Sequence, residues 1–166
     1  MPVKDAKVIE HLNTQLTNEL TAVNQYFLHA RMLDHWGVTK LAKHEYAESI
    51  EEMKHADELI QRILYLGGVP NLQRLNHILI GQNVREVLEC DLKLEEKALA
   101  DLREGIAHCE QVRDFVSRDL LLRILANEEE HEDFIDRQFD MIRQMGIENY
   151  VQLNSAAAPE QHDQAD

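Results

Sequence analysis

Residues 46–66 read YAESIEEMKHADELIQRILYL. At about 3.6 residues per turn, Ser49, Glu52, Ala56, Leu59, Ile63 and Leu66 fall on one stripe of a helix. His55 lies one turn from Glu52 and points almost the same way. A carboxylate and an imidazole therefore sit in the middle of a face that is otherwise built to be buried. A buried unpaired charge costs several kcal/mol, so something must compensate it.

The remaining chain supplies three more stripes of the same kind. On a first helix, from about residue 5 to 35, the stripe is Leu12, Leu16, Glu19, Val23, Tyr26 and Ala30. On a third, from about Val84 to Ala107, it is Val84, Leu88, Asp91, Glu95, Ala98 and Leu102. On a fourth, from about Val112 to Met145, it is Leu121, Ile124, Glu128, His131, Ile135 and Ile142. Glu128 and His131 repeat the E-x-x-H of Glu52 and His55. With nine histidines in the chain, chance supplies about one such motif, so the motif alone is weak.

The register carries more. Glu19 to Glu95 is 76 residues, and Glu52 to Glu128 is also 76. Each half is the same hairpin with the same three groups at the same heights. Packed about a pseudo-two-fold axis, the halves bring all six groups together. Four carboxylates cannot share a dry core as bare anions, whereas two divalent cations would neutralise them and two imidazoles would cap the ends. Carboxylate with imidazole suits iron, manganese or zinc. One Glu from each of two helices and Glu-x-x-His from each of the other two is the known ligand pattern of ferritin-like dimetal bundles. The rival reading makes these residues a polar core network or places them on solvated faces.

Six Gly and three Pro punctuate the helices. DHWGVT ends the first helix, and the second starts near Thr39 and stops at GGVPN. Roughly 16 aperiodic residues then lead to the third, long enough to run the length of a bundle. IENYVQLN makes a short fifth helix. Strand signals are missing. The expected fold is an all-α, ferritin-like four-helix bundle with a long crossover between helices two and three and a short C-terminal fifth helix. The alternative is a simple up-down bundle with an ordered excursion. Residues 1–158 are expected to form the domain and 159–166 a disordered tail.

Composition narrows the function. The net charge of −14 excludes the usual basic footprint of a nucleic-acid binder. Cys90 and Cys109 match no metal or redox motif, and on one helix they would lie roughly 28 Å apart, too far for a mutual disulfide. No signal segment and no bilayer-spanning run is present, so a reducing cytoplasm is the expected compartment.

The second helix carries another apolar line, Tyr46, Ile50, Met53, Ile60 and Leu64, and the first adds Phe27 and Trp36 on its outer side. A helix with two apolar faces packs against a second partner, here a subunit interface. From spacing alone Met53 is a flexible interface filler.

NELTAVNQYFLHARM (18–32), ESIEEMKHAD (48–57), RILYLGGVPNLQ (62–73) and VSRDLLLRILANEEEHEDF (116–134) closely resemble bacterioferritin, the haem-containing bacterial ferritin. The similarity covers about residues 1–153. The resemblance implies a hollow shell of twenty-four subunits, built from two-fold dimers, that oxidises Fe2+ with O2 or H2O2 and stores the ferric mineral. It implies Glu19, Glu52, His55, Glu95, Glu128 and His131 as ligands of two iron ions per subunit, with Glu52 and Glu128 bridging. It implies Met53 as axial ligand of a haem b shared by two subunits, which reverses the filler reading, and a small ferredoxin as electron donor for iron release. One departure stands out: where some members carry a His and an Asp for an additional inner iron, this chain has Ala47 and Glu51. A dimetal peroxidase or catalase on the same fold, and a passive haem-binding subunit of a mixed shell, are the competing functions. The Cys-x-x-Cys iron module of rubrerythrin-like proteins is missing.

Overall fold

The computed structural model describes residues 5–159. The chain forms α1 (Ala6–His35), α2 (Thr39–Tyr65), α3 (Val84–Gln111), α4 (Phe115–Met145) and α5 (Ile147–Leu153), with no strand among the described residues. The expected four-helix bundle with crossover and fifth helix is the observed one. From residue 160 onward, the tail expected to be disordered lies outside the described residues.

Local chemistry explains the helix limits. Asp5, Asn83 and Asp114 cap α1, α3 and α4 by accepting the N–H of Val8, Glu86 and Ser117 at 3.0, 2.9 and 3.0 Å. The last cap corrects the expected boundary. Helix four begins at Phe115 rather than Val112, and helix three runs on to Gln111 rather than Ala107. Arg113 takes a left-handed φ of 63° between them, so the reversal is tighter than the sequence suggested.

Two apolar clusters fill the bundle ends. One gathers Leu12, Leu16, Leu59, Ile63, Leu102, Leu121 and Ile124, and the other gathers Leu33, Leu41, Val87, Leu88, Ile135, Ile142 and Tyr150 of α5. Between these dry plugs lies a polar middle.

The crossover is tied along α1 by side-chain acceptors. Asn71 N donates to Asn13 Oδ1 at 2.8 Å, Asn76 N to Thr21 Oγ1 at 2.9 Å, Leu79 N to Gln25 Oε1 at 3.1 Å and Gly81 N to His29 Nε2 at 3.1 Å. These residues form a second, polar stripe on α1 at helical spacing. They supply partners for a segment with no regular backbone pairing. At Gly81 an added Cβ would meet Val87 N at 2.3 Å, so only glycine fits where the crossover meets α3.

Candidate metal centre

The six groups singled out by register converge in the polar middle. Glu19, Glu52, Glu95, Glu128 and His131 are buried, and His55 is partly buried. His55 Nδ1 lies 3.4 Å from Glu19 Oε2, 3.4 Å from Glu52 Oε2 and 3.3 Å from Glu128 Oε1. His131 Nδ1 lies 3.0 Å from Glu52 Oε1, 3.5 Å from Glu95 Oε1 and 3.4 Å from Glu128 Oε2. Glu52 and Glu128 thus each turn one oxygen toward one imidazole and the other oxygen toward the second. Glu19 serves only the His55 side and Glu95 only the His131 side. The result is two four-residue pockets, Glu19–Glu52–His55–Glu128 and Glu52–Glu95–Glu128–His131, sharing two carboxylates.

Neighbours aim the two unshared carboxylates. Gln15 Nε2 donates to Glu19 Oε1 at 2.7 Å, and the Tyr26 hydroxyl donates to Glu95 Oε1. The far nitrogen of His131, Nε2, faces Glu51 at 2.9 Å and Glu48, which also lies 2.9 Å from His44 Nε2. Outer partners of this kind fix the ring and its basicity. Gln15, Glu48 and His44 were not marked by the sequence stripes. They lie beside the stripe rather than on it, and nothing in their types distinguishes them from ordinary polar positions.

The electrostatics show an unfinished site. Burial, and then the charges of neighbouring glutamates, push Glu52 and Glu95 well above the usual carboxylate range. Burial alone would do the same to Glu128, but hydrogen bonds from Glu95, His131 and His55 hold it well below. Burial would lower His55, yet bonding to Glu128, Glu19 and Glu52 raises it to about 12, and His131 moves strongly the same way. Even so, no well-directed hydrogen bond reaches Glu19 Oε2, Glu52 Oε1, Glu95 Oε2, Glu128 Oε1 or His131 Nδ1, and these buried atoms meet one another only in close carboxylate–imidazole contacts. Unpartnered donor atoms directed into one space are the requirement of a cation pair, and the carboxylate–imidazole set fits first-row divalent ions.

Met53 stands on another face of α2, about 100° round the helix from Glu52. Glu52 is 0% exposed and its neighbour Met53 is 54% exposed. Around Met53 the same face shows Tyr46, Ile50, Leu64 and, from α1, Phe27, all exposed. Phe27 and Tyr46 lie 6.2 Å apart, centroid to centroid, with the Arg31 guanidinium near both rings. Met53 thus lies in an exposed apolar patch.

Residues 9–145 match the family model described as Ferritin-like domain. Bacterioferritin of Brucella melitensis is 53% identical over 156 residues, covering 94% of this chain and 97% of that protein. Bacterioferritin of Mycobacterium bovis is 49% identical, covering 88% and 92%. Bacterioferritin of Rhodobacter capsulatus is 47% identical, covering 92% and 94%. Among the described residues no helix is long and apolar enough to cross a membrane.

Proposed function

The chain belongs to the bacterioferritin family of ferritin-like proteins, and we propose that it stores iron by oxidising Fe2+ at the centre between its four long helices. Two Fe2+ are the substrates. Glu19 and His55 hold one, Glu95 and His131 the other, and Glu52 and Glu128 bridge them. The observation that supports this most directly is the division of oxygens: each bridging carboxylate already faces both imidazoles. O2 or H2O2 takes one electron from each Fe2+, and ferric product passes to the cavity of a shell of twenty-four subunits in the cytoplasm. The metal-free centre favours protons on both imidazoles and on Glu52 and Glu95, so two Fe2+ would displace four protons and leave the buried charge unchanged.

Met53 and its mate from a two-fold partner would hold one haem b, which supplies a one-electron path for reducing stored mineral, fed by a small ferredoxin. Ala47 removes an imidazole from the inner side of the centre, and Glu51 is turned to His131 Nε2. Additional inner iron therefore has a poorer site in this chain.

Anaerobic Co2+ titration followed by stopped-flow Fe2+ oxidation tests the reading. Two ions per subunit and a fast phase of the same stoichiometry are expected. A single ion, or no fast phase in an assembled shell, overturns it.

A further inference from the structure

The two halves of the centre repeat their ligands but not the neighbours that hold those ligands. Glu19 accepts from Gln15, and at the 76-residue offset the counterpart of Gln15 is Asp91. Asp91 is drawn into a separate buried pocket with His29 and Glu45. There its Oδ1 accepts from Gln25 Nε2 at 3.0 Å and pairs with His29 Nδ1 at 2.9 Å. Glu95 accepts from Tyr26, and the counterpart of Tyr26 is Leu102, which is buried in an apolar cluster. The symmetry of the ligands therefore ends at their outer partners.

Gln15 is 1% exposed, and its surroundings fix which way its amide points. Gln15 Oε1 accepts from Asn18 Nδ2 at 3.3 Å. Asn18 Nδ2 also donates to Asp101 Oδ2 at 2.8 Å, and Asn18 Oδ1 accepts from Asn76 Nδ2 of the crossover at 2.9 Å. Lys97 Nζ donates to the same Asp101 oxygen at 2.7 Å. Turning over either amide would set oxygen against oxygen, Asn18 against Asp101 or Gln15 against Glu19. Each link thus fixes the next, from the Lys97–Asp101 ion pair inward to Glu19.

The consequence is a division of the Glu19 oxygens. Oε1 takes the Gln15 N–H at 2.7 Å, and Oε2 faces His55 at 3.4 Å. The His55 pocket then offers four donor atoms: Glu19 Oε2, His55 Nδ1, Glu52 Oε2 and Glu128 Oε1. Across the centre, Glu95 Oε1 faces both Tyr26 and His131, and Glu95 Oε2 is buried with no hydrogen bond. That pocket can offer five: both Glu95 oxygens, His131 Nδ1, Glu52 Oε1 and Glu128 Oε2.

We propose that Gln15, held by Asn18, is a positioning residue that restricts Glu19 to one ligating oxygen and so keeps a coordination position open on the His55-side ion. This rests on the two-iron ferroxidase reading above. A reactive metal is one whose protein ligands leave a position free. A Glu19 that bound through both oxygens would fill it. The two irons are therefore unequal: the His131-side ion is the more fully held, and the His55-side ion is the one open to the oxidant.

Gln15→Met keeps the length of the side chain and has no N–H to donate. Crystals of Zn2+-loaded shells read the outcome without turnover. Glu19 of the wild type should reach its ion through Oε2 alone, and in Gln15→Met both oxygens should lie at bonding distance, about 2.0–2.2 Å. Gln15→Met should bind two Co2+ per subunit at least as tightly as the wild type. It should nevertheless oxidise Fe2+ about tenfold more slowly, the low end of the loss when an outer partner is removed. A merely structural role would weaken affinity together with rate. Asn18→Ala leaves Gln15 in place but unheld, and should lose part of the rate in the same way. Glu19 bound through one oxygen in Gln15→Met, or through both in the wild type, overturns the proposal. So does a wild-type rate in Gln15→Met or, should that variant fail to assemble, in Asn18→Ala. A wild type that binds two ions yet oxidises no Fe2+ overturns the ferroxidase reading instead, and the Zn2+ structures then still decide whether Gln15 restricts Glu19.

Discussion

The bundle has two polar regions of opposite character, a part-buried one along the crossover and a buried one at the centre. Along the crossover, each backbone donor named above meets a side chain of α1: Asn71 meets Asn13, Asn76 meets Thr21, Leu79 meets Gln25 and Gly81 meets His29. At the centre, five side-chain atoms from four helices face one another with no well-directed hydrogen bond. The first region is complete within the chain and contributes to stability. The second is complete only when something positive enters, and without metal that role falls to protons on its imidazoles and on Glu52 and Glu95. Buried polarity is therefore structural where its partners are protein groups and functional where they are missing.

Breaking the centre should cost activity and not stability. Glu52→Gln removes one of the two carboxylates proposed to bridge, at nearly constant volume, and it is one that burial and the charges of Glu19 and Glu128 push well above the usual range. The initial rate of Fe2+ oxidation is expected to fall by more than ~100-fold, beyond the loss typical of an outer partner. Urea unfolding of the metal-free variant should show a midpoint no lower than that of the wild type, because a mutual repulsion is relieved. A large drop in midpoint would mean that the cluster is a structural network.

Filling the centre should do the reverse. Zn2+ at a hundredfold excess over its dissociation constant should stabilise the folded state by about 2.7 kcal/mol per site by mass action, read as a rise in Tm. The sign of the pH effect follows from His55, whose imidazole is raised to about 12 and is protonated at neutral pH. Metal must displace that proton, so apparent affinity should fall as pH falls, and loading an unbuffered sample should acidify it. Equal Tm values with and without Zn2+ at neutral pH would mean that the ligands do not converge in solution.

Breaking the crossover ties should cost stability and leave metal binding intact. Gln25→Leu strands the Leu79 N–H and removes one donor from Asp91, a loss of about 1–3 kcal/mol. Urea unfolding should report it, and Co2+ stoichiometry should be unchanged. If the variant is as stable as the wild type, water replaces the side chain and the ladder is not a stabilising element.

The smallest expected effect on stability is at Met53. Met53→Leu conserves apolar volume, so the shell should assemble with a loss under about 1.5 kcal/mol. The variant should purify with little haem and oxidise Fe2+ at the normal rate. Retained six-coordinate haem would return Met53 to the role of interface filler.

The centre was legible because two periodicities coincide in it. The helical period selects a face, and the 76-residue offset from Glu19 to Glu95 and from Glu52 to Glu128 selects a height on that face. Charged groups on an apolar stripe stand out against their neighbours. The α1 ladder has no such contrast. Asn13, Thr21, Gln25 and His29 look like ordinary polar helix positions, and their partners are backbone amides of an aperiodic segment, which carry no residue signature. Asp91 was visible on its stripe, but its role was not, because Glu45 and His29 meet it from other helices.

Sequence by itself determined the four long helices, the hairpin repeat and the six convergent groups, since each depends on spacing within a helix or on equal lengths between helices. It also carried the family resemblance that singled out Met53. Only the tertiary structure decided which carboxylate oxygens face which imidazole, which polar side chains hold the crossover, and that Glu45 and Asp91 share one buried pocket. Those outcomes depend on the rotation and depth of one helix against another. Side-chain packing sets both, and no spacing along a single chain encodes them.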